Sequence, residues 1–161
     1  GAGGDSRDGA AFKRNAEKRA KLYEERGLAE VLKKLRKADN RIQLKHKNPR
    51  AFADFCTRFM RHSAQGCAIV TRQVMARRPS LFGMTQALEA MKVPALVVVG
   101  DEDSGALEAS LFMKQVSPAV RLSVIPATGH LVNLEEPDLL HRLTEDFFAL
   151  VESKKWRPQV T

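Results

Sequence analysis

The sequence predicts an α/β chain in two parts: mostly helical through residue 92, then two parallel strands joined by a crossover helix and followed by a final helix. Three observations predict it. Helix-forming stretches fill the first part with apolar residues at three- and four-residue spacings. Two short apolar runs, Val93–Gly100 and Val120–Ile125, each end in a turn. The segment between them is long enough for a helix, which parallel neighbours require.

Taken in order, Gly1 to Gly9 reads as an irregular stretch rich in glycine and aspartate. Ala10 to Arg26 favours helix, with Phe12, Ala16, Leu22 and Tyr23 as a thin apolar stripe, and Gly27 suits its end. A second helix is predicted from Leu28 to about Lys37, its Leu28, Val31, Leu32 and Leu35 falling on one face. Asp39 to Lys47 reads as a polar connection. Asn48 and Pro49 then supply an N-cap and a first-turn proline to a helix whose Phe52, Phe55, Phe59 and Met60 are expected in the core. Ser63 to Arg77 is expected to be one helix, stopped by Pro79, and Ser80 to Met91 carries apolar Leu81, Phe82, Met84, Leu88 and Met91. The crossover helix is placed at Leu107 to Val116, the last helix starts at Pro137, and Trp156 to Thr161 is expected to be a loose tail.

Composition narrows the function classes. An apolar fraction of 43% is that of a chain that folds. Residues 1–92 hold 21 basic and 9 acidic side chains, a balance of +12, whereas the remainder carries −4. The basic residues are interleaved with Glu17, Glu24, Glu25 and Glu30 at helical spacings, which is how a solvated helix face reads, and aromatic platforms for bases are few. Nucleic acid is therefore not the expected partner. Cys56 and Cys67 have no redox or metal-ligand spacing and are expected to be buried free thiols. With no apolar run long enough to span a bilayer and no signal-like core, a cytoplasmic protein is expected.

The chemistry converges on the two turns. Strands lie about 4.8 Å apart, and ligands of open α/β sheets bind beyond the carboxyl ends of the strands, so Asp103 after the first strand and His130 after the second can meet there. Of the three acids in the first turn, Asp101 suits hydrogen bonding to turn backbone, and the run of three also reads as a solvated loop. Glu135 and Glu136 are expected to serve the start of the last helix. His46, His62 and His141 are read as ordinary surface or hydrogen-bonded histidines.

Two phrases carry a family resemblance. Val93-Pro94-Ala95-Leu96-Val97-Val98-Val99-Gly100 with Asp103 resembles the penultimate strand and acid turn of the α/β-hydrolases. Ser123-Val124-Ile125-Pro126, then Gly129-His130 and Leu134-Glu135-Glu136-Pro137, resembles their last strand, histidine turn and final helix. The resemblance implies that residues 1–92 are a helical lid, residues 93–155 the C-terminal core segment, Asp103 the orienting acid and His130 the general base. It implies no cofactor and a small-molecule ester or related acyl substrate. The family's Gly-x-Ser-x-Gly elbow is absent; the nearest approach, Gly4-Asp5-Ser6-Arg7-Asp8-Gly9, has its second glycine one place late, and Ser6 follows no strand. The expectation is a C-terminal hydrolase fragment whose serine lies in a missing N-terminal portion or in another chain that completes the sheet. An alternative from a different class is an inactive interaction module that binds a partner or polyanion through its basic helices.

Overall fold

The computed structural model describes residues 7–158, so Ser6 lies outside the described residues. Helix α1 (Gly9–Leu35) opens with the Asp8 carboxylate accepting the Ala11 amide at 2.8 Å. It kinks at Gly27, where φ is 70° and ψ −172°, so the two predicted helices are one element broken at that glycine. Residues Ala20, Tyr23, Leu28 and Val31 on either side of the kink close over Ala68 of α4 (Ala64–Val70), with Leu22, Leu35 and Phe59 packed around them. This cluster is the core of the helical half. On its rim Arg72 grips Glu17 and Glu24, two turns apart on α1, through four hydrogen bonds of 2.8–3.1 Å.

The segment read as a polar connection is a helix, α2 (Asp39–Lys47). Leu44 is its only buried residue, and Asn40, Gln43 and Lys47 make polar contacts with the two turns. Periodicity analysis detects apolar stripes, and α2 has none to detect. Helix α3 (Pro49–Phe59) starts as expected, with Asn48 accepting the Ala51 amide at 3.0 Å. Phe52 is buried, Phe55 and Phe59 are half-buried, and Met60, expected in the core, is exposed. The single helix expected over Ser63 to Arg77 is divided, since α4 gives way to one π-helical turn at Thr71–Met75. Cys56 and Cys67 are free, as expected, but half-buried rather than buried.

A 3-10 turn at Leu81–Gly83 and a short helix α5 (Thr85–Glu89) lead back to the sheet. Phe82 meets Phe112 of α6 (Ser104–Val116) at 4.9 Å between ring centroids, which fixes this return. Strands β1 (Ala95–Gly100) and β2 (Val120–Ile125) pair in parallel, Ala95 opposite Val120 through Gly100 opposite Ile125, with α6 as their crossover. That helix begins three residues before the expected Leu107, directly after Asp103.

Beyond β2 come one helical turn, α7 (Val132–Glu135), and the expected α8 (Pro137–Glu152). No residue of α8 is buried, and Phe148 and Leu150 on it and Val124 on β2 are exposed. Trp156 departs from a loose tail: its ring meets Phe147 edge-on at 4.8 Å and its amide donates to the Leu150 carbonyl. No helix among the described residues is long and apolar enough to cross a membrane.

Candidate active site

The parallel register sets the site. Gly100 and Ile125 end the two strands opposite each other, so the turns that follow leave the sheet at the same edge. Backbone bonds tie the turns together: the Asp101 amide donates to the Ile125 carbonyl and the Glu102 amide to the Thr128 carbonyl, both at 3.0 Å. The Asp101 carboxylate returns the contact by accepting the Thr128 amide at 3.2 Å, so it does cap a turn, but the turn of the other strand. This closeness requires glycine at Gly100, where a Cβ would stand 2.1 Å from the Thr128 carbonyl oxygen.

Asp103 and His130 are brought together. Asp103 occupies the N-cap position of α6, yet its side chain makes no capping bond. It turns instead to His130, whose Nδ1 lies 2.5 Å from Asp103 Oδ2. With the carboxylate ionised, Nδ1–H donates, and the ring is held with Nε2 free to accept. The Asp103 side chain is 8% exposed and that of His130 32%, so the acid is sheltered while the imidazole reaches the surface. No described residue hydrogen-bonds Nε2.

Two supporting groups come from residues that sequence reasoning passed over or assigned elsewhere. Asn40, on α2, donates from Nδ2 to Asp103 Oδ1 at 3.1 Å, and its backbone carbonyl accepts the His130 amide at 2.7 Å. One residue thus fixes both partners. The second group is Glu135, expected to favour the start of the last helix. It is buried and reaches back to the histidine turn, accepting the Gly129 amide at 2.6 Å and the Leu131 amide at 3.1 Å. The two amides it captures flank His130 and would otherwise be unpaired inside the protein. Glu136, by contrast, pairs with Lys47 of α2 at 2.5 Å. A Cβ at Gly129 would lie 2.4 Å from the Asn40 carbonyl oxygen, so α2 sits on the histidine turn with no room for a side chain.

No sequence periodicity marks Asn40. The segment carries no apolar stripe, and the bonds of Asn40 depend on the turns against which it packs. The remaining histidines stand apart. His62 bonds the Phe59 carbonyl at 2.9 Å, His141 lies 3.3 Å from Glu145, and both are exposed, as is His46.

Comparison with known proteins addresses the fold. No family model matches the chain. MenH from S. aureus superposes with a TM-score of 0.81 at 19% identity, over 93% of this chain and 56% of that one. A thermophilic esterase from Thermogutta terrifontis superposes with a TM-score of 0.73 at 23% identity, over 94% of this chain and 53% of its own. The chain carries the C-terminal part of an α/β-hydrolase fold. In sequence, this part of the hydrolase fold is 24% identical over 74 residues to a Bacillus subtilis protein provisionally named 2-succinyl-6-hydroxy-2,4-cyclohexadiene-1-carboxylate synthase. That match covers 46% of this chain and 26% of the relative, and the chain spans little more than half of either solved structure. The expected fold class stands, with α2 and α7 added to it.

Proposed function

We propose that this hydrolase-fold chain supplies the acid and the base of a Ser-Asp-His triad, acting on an ester or related acyl substrate with a serine from outside these 161 residues. The observation that supports it most is the sheltered Asp103 bonded to His130 Nδ1 at 2.5 Å while Nε2 has no partner among the described residues. A base that serves a nucleophile needs that arrangement: one ring nitrogen held, the other open.

The chemistry follows from the pair. As the serine oxygen bonds the substrate carbonyl carbon, its proton passes to His130 Nε2, and Asp103 steadies the imidazolium through Nδ1–H. The same proton then goes to the leaving group as the carbon–oxygen bond breaks. Water enters next, giving a proton to Nε2 while its oxygen bonds the acyl carbon; the bond from that carbon to the serine oxygen then breaks, and Nε2 returns the proton to the serine. Asn40 and Glu135 hold the geometry through the two turns and take no proton. In this reading residues 1–92 form a lid over the reacting carbon, and the free thiols of Cys56 and Cys67 suit the reducing cytoplasm.

The test uses the protein from its native cell and a fluorophosphonate that labels activated serines. Labelling of a polypeptide that carries or accompanies this chain, abolished by His130→Ala, is the expected result. The 161-residue chain alone is expected to hydrolyse p-nitrophenyl acetate no faster than its own His130→Ala variant. Turnover by the isolated chain that vanishes in that variant would place a nucleophile within it and overturn the external serine. Labelling that survives His130→Ala would remove the base.

A further inference from the structure

The helical half contains a concavity of about 410 Å³ between the two arms of α1 and the start of α2. Lys18, Arg19, Lys34 and Arg41 line it, and no carboxylate is among its lining residues. Elsewhere on the same two helices Lys33 pairs with Glu30 and Lys47 with Glu136. None of the four around the concavity has an ion-pair partner among the described residues.

Arg41 is the unusual member. It is half-buried, its Nη1 donates to Asn40 Oδ1 at 3.1 Å, and its buried Nε finds no acceptor. Burial first, and then the neighbouring Arg19, push its pKa below the usual guanidinium value, so this cation sits where charge is costly. The nearest acids do not compensate by contact: both Asp103 oxygens are taken by Asn40 and His130, and both Glu135 oxygens by backbone amides. A buried charge is ordinarily paired, and a guanidinium with ammonium neighbours is the donor set that recognises phosphate oxygens.

We propose that this concavity is an anion site for the phosphate or diphosphate group of a small molecule, held by Arg41 at its floor and by Lys18, Arg19 and Lys34 at its rim. The bound anion pairs directly with Arg41, which the Asp103 and Glu135 carboxylates favour only through space. Through Asn40, which Arg41 touches and which donates to Asp103, the site is one residue removed from the His130 pair, although its occupancy does not depend on the function proposed for that pair.

The experiment is titration of the full chain with inorganic pyrophosphate by calorimetry at constant ionic strength. One saturable site is expected, weakened roughly tenfold or more by Arg19→Gln combined with Lys34→Gln, two exposed positions whose loss leaves the core intact. Arg50→Gln combined with Arg142→Gln removes the same charge from exposed positions away from the concavity and is expected to leave the affinity unchanged. Arg41→Lys keeps the charge but not the planar fork, and is expected to weaken binding about as much as the rim pair does. Absence of saturation, equal loss in the two double variants, or no loss in the rim variant would each overturn the site, the second result pointing to general attraction by a basic surface.

Discussion

Two clusters in this molecule join carboxylates to a cationic or basic side chain, and they differ in almost everything else. Around Arg72, two glutamates from one helix form four hydrogen bonds at the surface, with 41–43% of their side chains exposed. At the sheet edge, one aspartate that is 8% exposed meets one histidine, and each is also held by Asn40. The first cluster engages all three nitrogens of its cation. The second keeps one nitrogen, His130 Nε2, without a partner among the described residues. Short distances occur in both, so distance alone does not separate a clamp from a site. Shelter on one side and an unused group on the other do.

The sharpest way to break this contrast is chemical. In an enzyme completed by the proposed serine, Asp103→Asn is expected to lower kcat roughly ten-thousandfold, because the imidazole then carries its proton on Nε2. Arg72→Gln should leave kcat within about twofold, since a surface clamp acts on stability and not on the reacting groups. Steady-state kinetics on both variants checks this, and comparable losses would erase the distinction.

Next in size is Gly129→Ala. The added methyl meets the Asn40 carbonyl oxygen at 2.4 Å, so α2 must lift from the histidine turn, at a cost of about 1–3 kcal/mol in urea unfolding. A cost near zero would mean that α2 packs less tightly on that turn than its contacts imply.

Asn40→Ala separates the two jobs of that residue. Its backbone carbonyl continues to receive the His130 amide, while Asp103 loses one donor. A hydrogen bond to a charged group contributes about 1.5–3 kcal/mol, so kcat should fall roughly ten- to a hundredfold with KM little changed. Asn40→Asp, which sets a second carboxylate against Asp103, should be worse than Asn40→Ala.

The smallest effect concerns the surface cluster and acid. Hydrogen bonds from Arg72 are the largest cause holding the Glu17 and Glu24 carboxyls below the ordinary value of 4.5. A depressed folded-state pKa gives stability that is present above the unfolded value and lost as pH falls through the folded one. The Tm of the chain is therefore expected to fall below about pH 4.5, and Arg72→Gln to flatten that part of the profile. An unchanged acid limb would show that the clamp adds nothing to stability, which many surface pairs do not.

What could be read from the sequence follows from which signals are local. The apolar runs at Ala95–Gly100 and Val120–Ile125 set the strands, the spacing between them set the crossover, and Asn48 with Pro49 marked the start of α3. Parallel pairing then brought Asp103 and His130 to one edge, as their places after the two strands predicted. These are properties of neighbouring residues and of strand geometry, which a sequence carries directly.

Only the tertiary structure decided how that pair is held. Asn40 lies 63 positions from Asp103, on a helix with a single buried apolar residue, Leu44, too few to set a periodic pattern. Glu135 was assigned by the nearest helix start, but its oxygens go to amides of the histidine turn, because buried N–H groups there needed acceptors. Hydrophobic pattern reports which faces are removed from water. Which polar groups then satisfy one another depends on what those faces bring together, and that information exists only once the chain has folded.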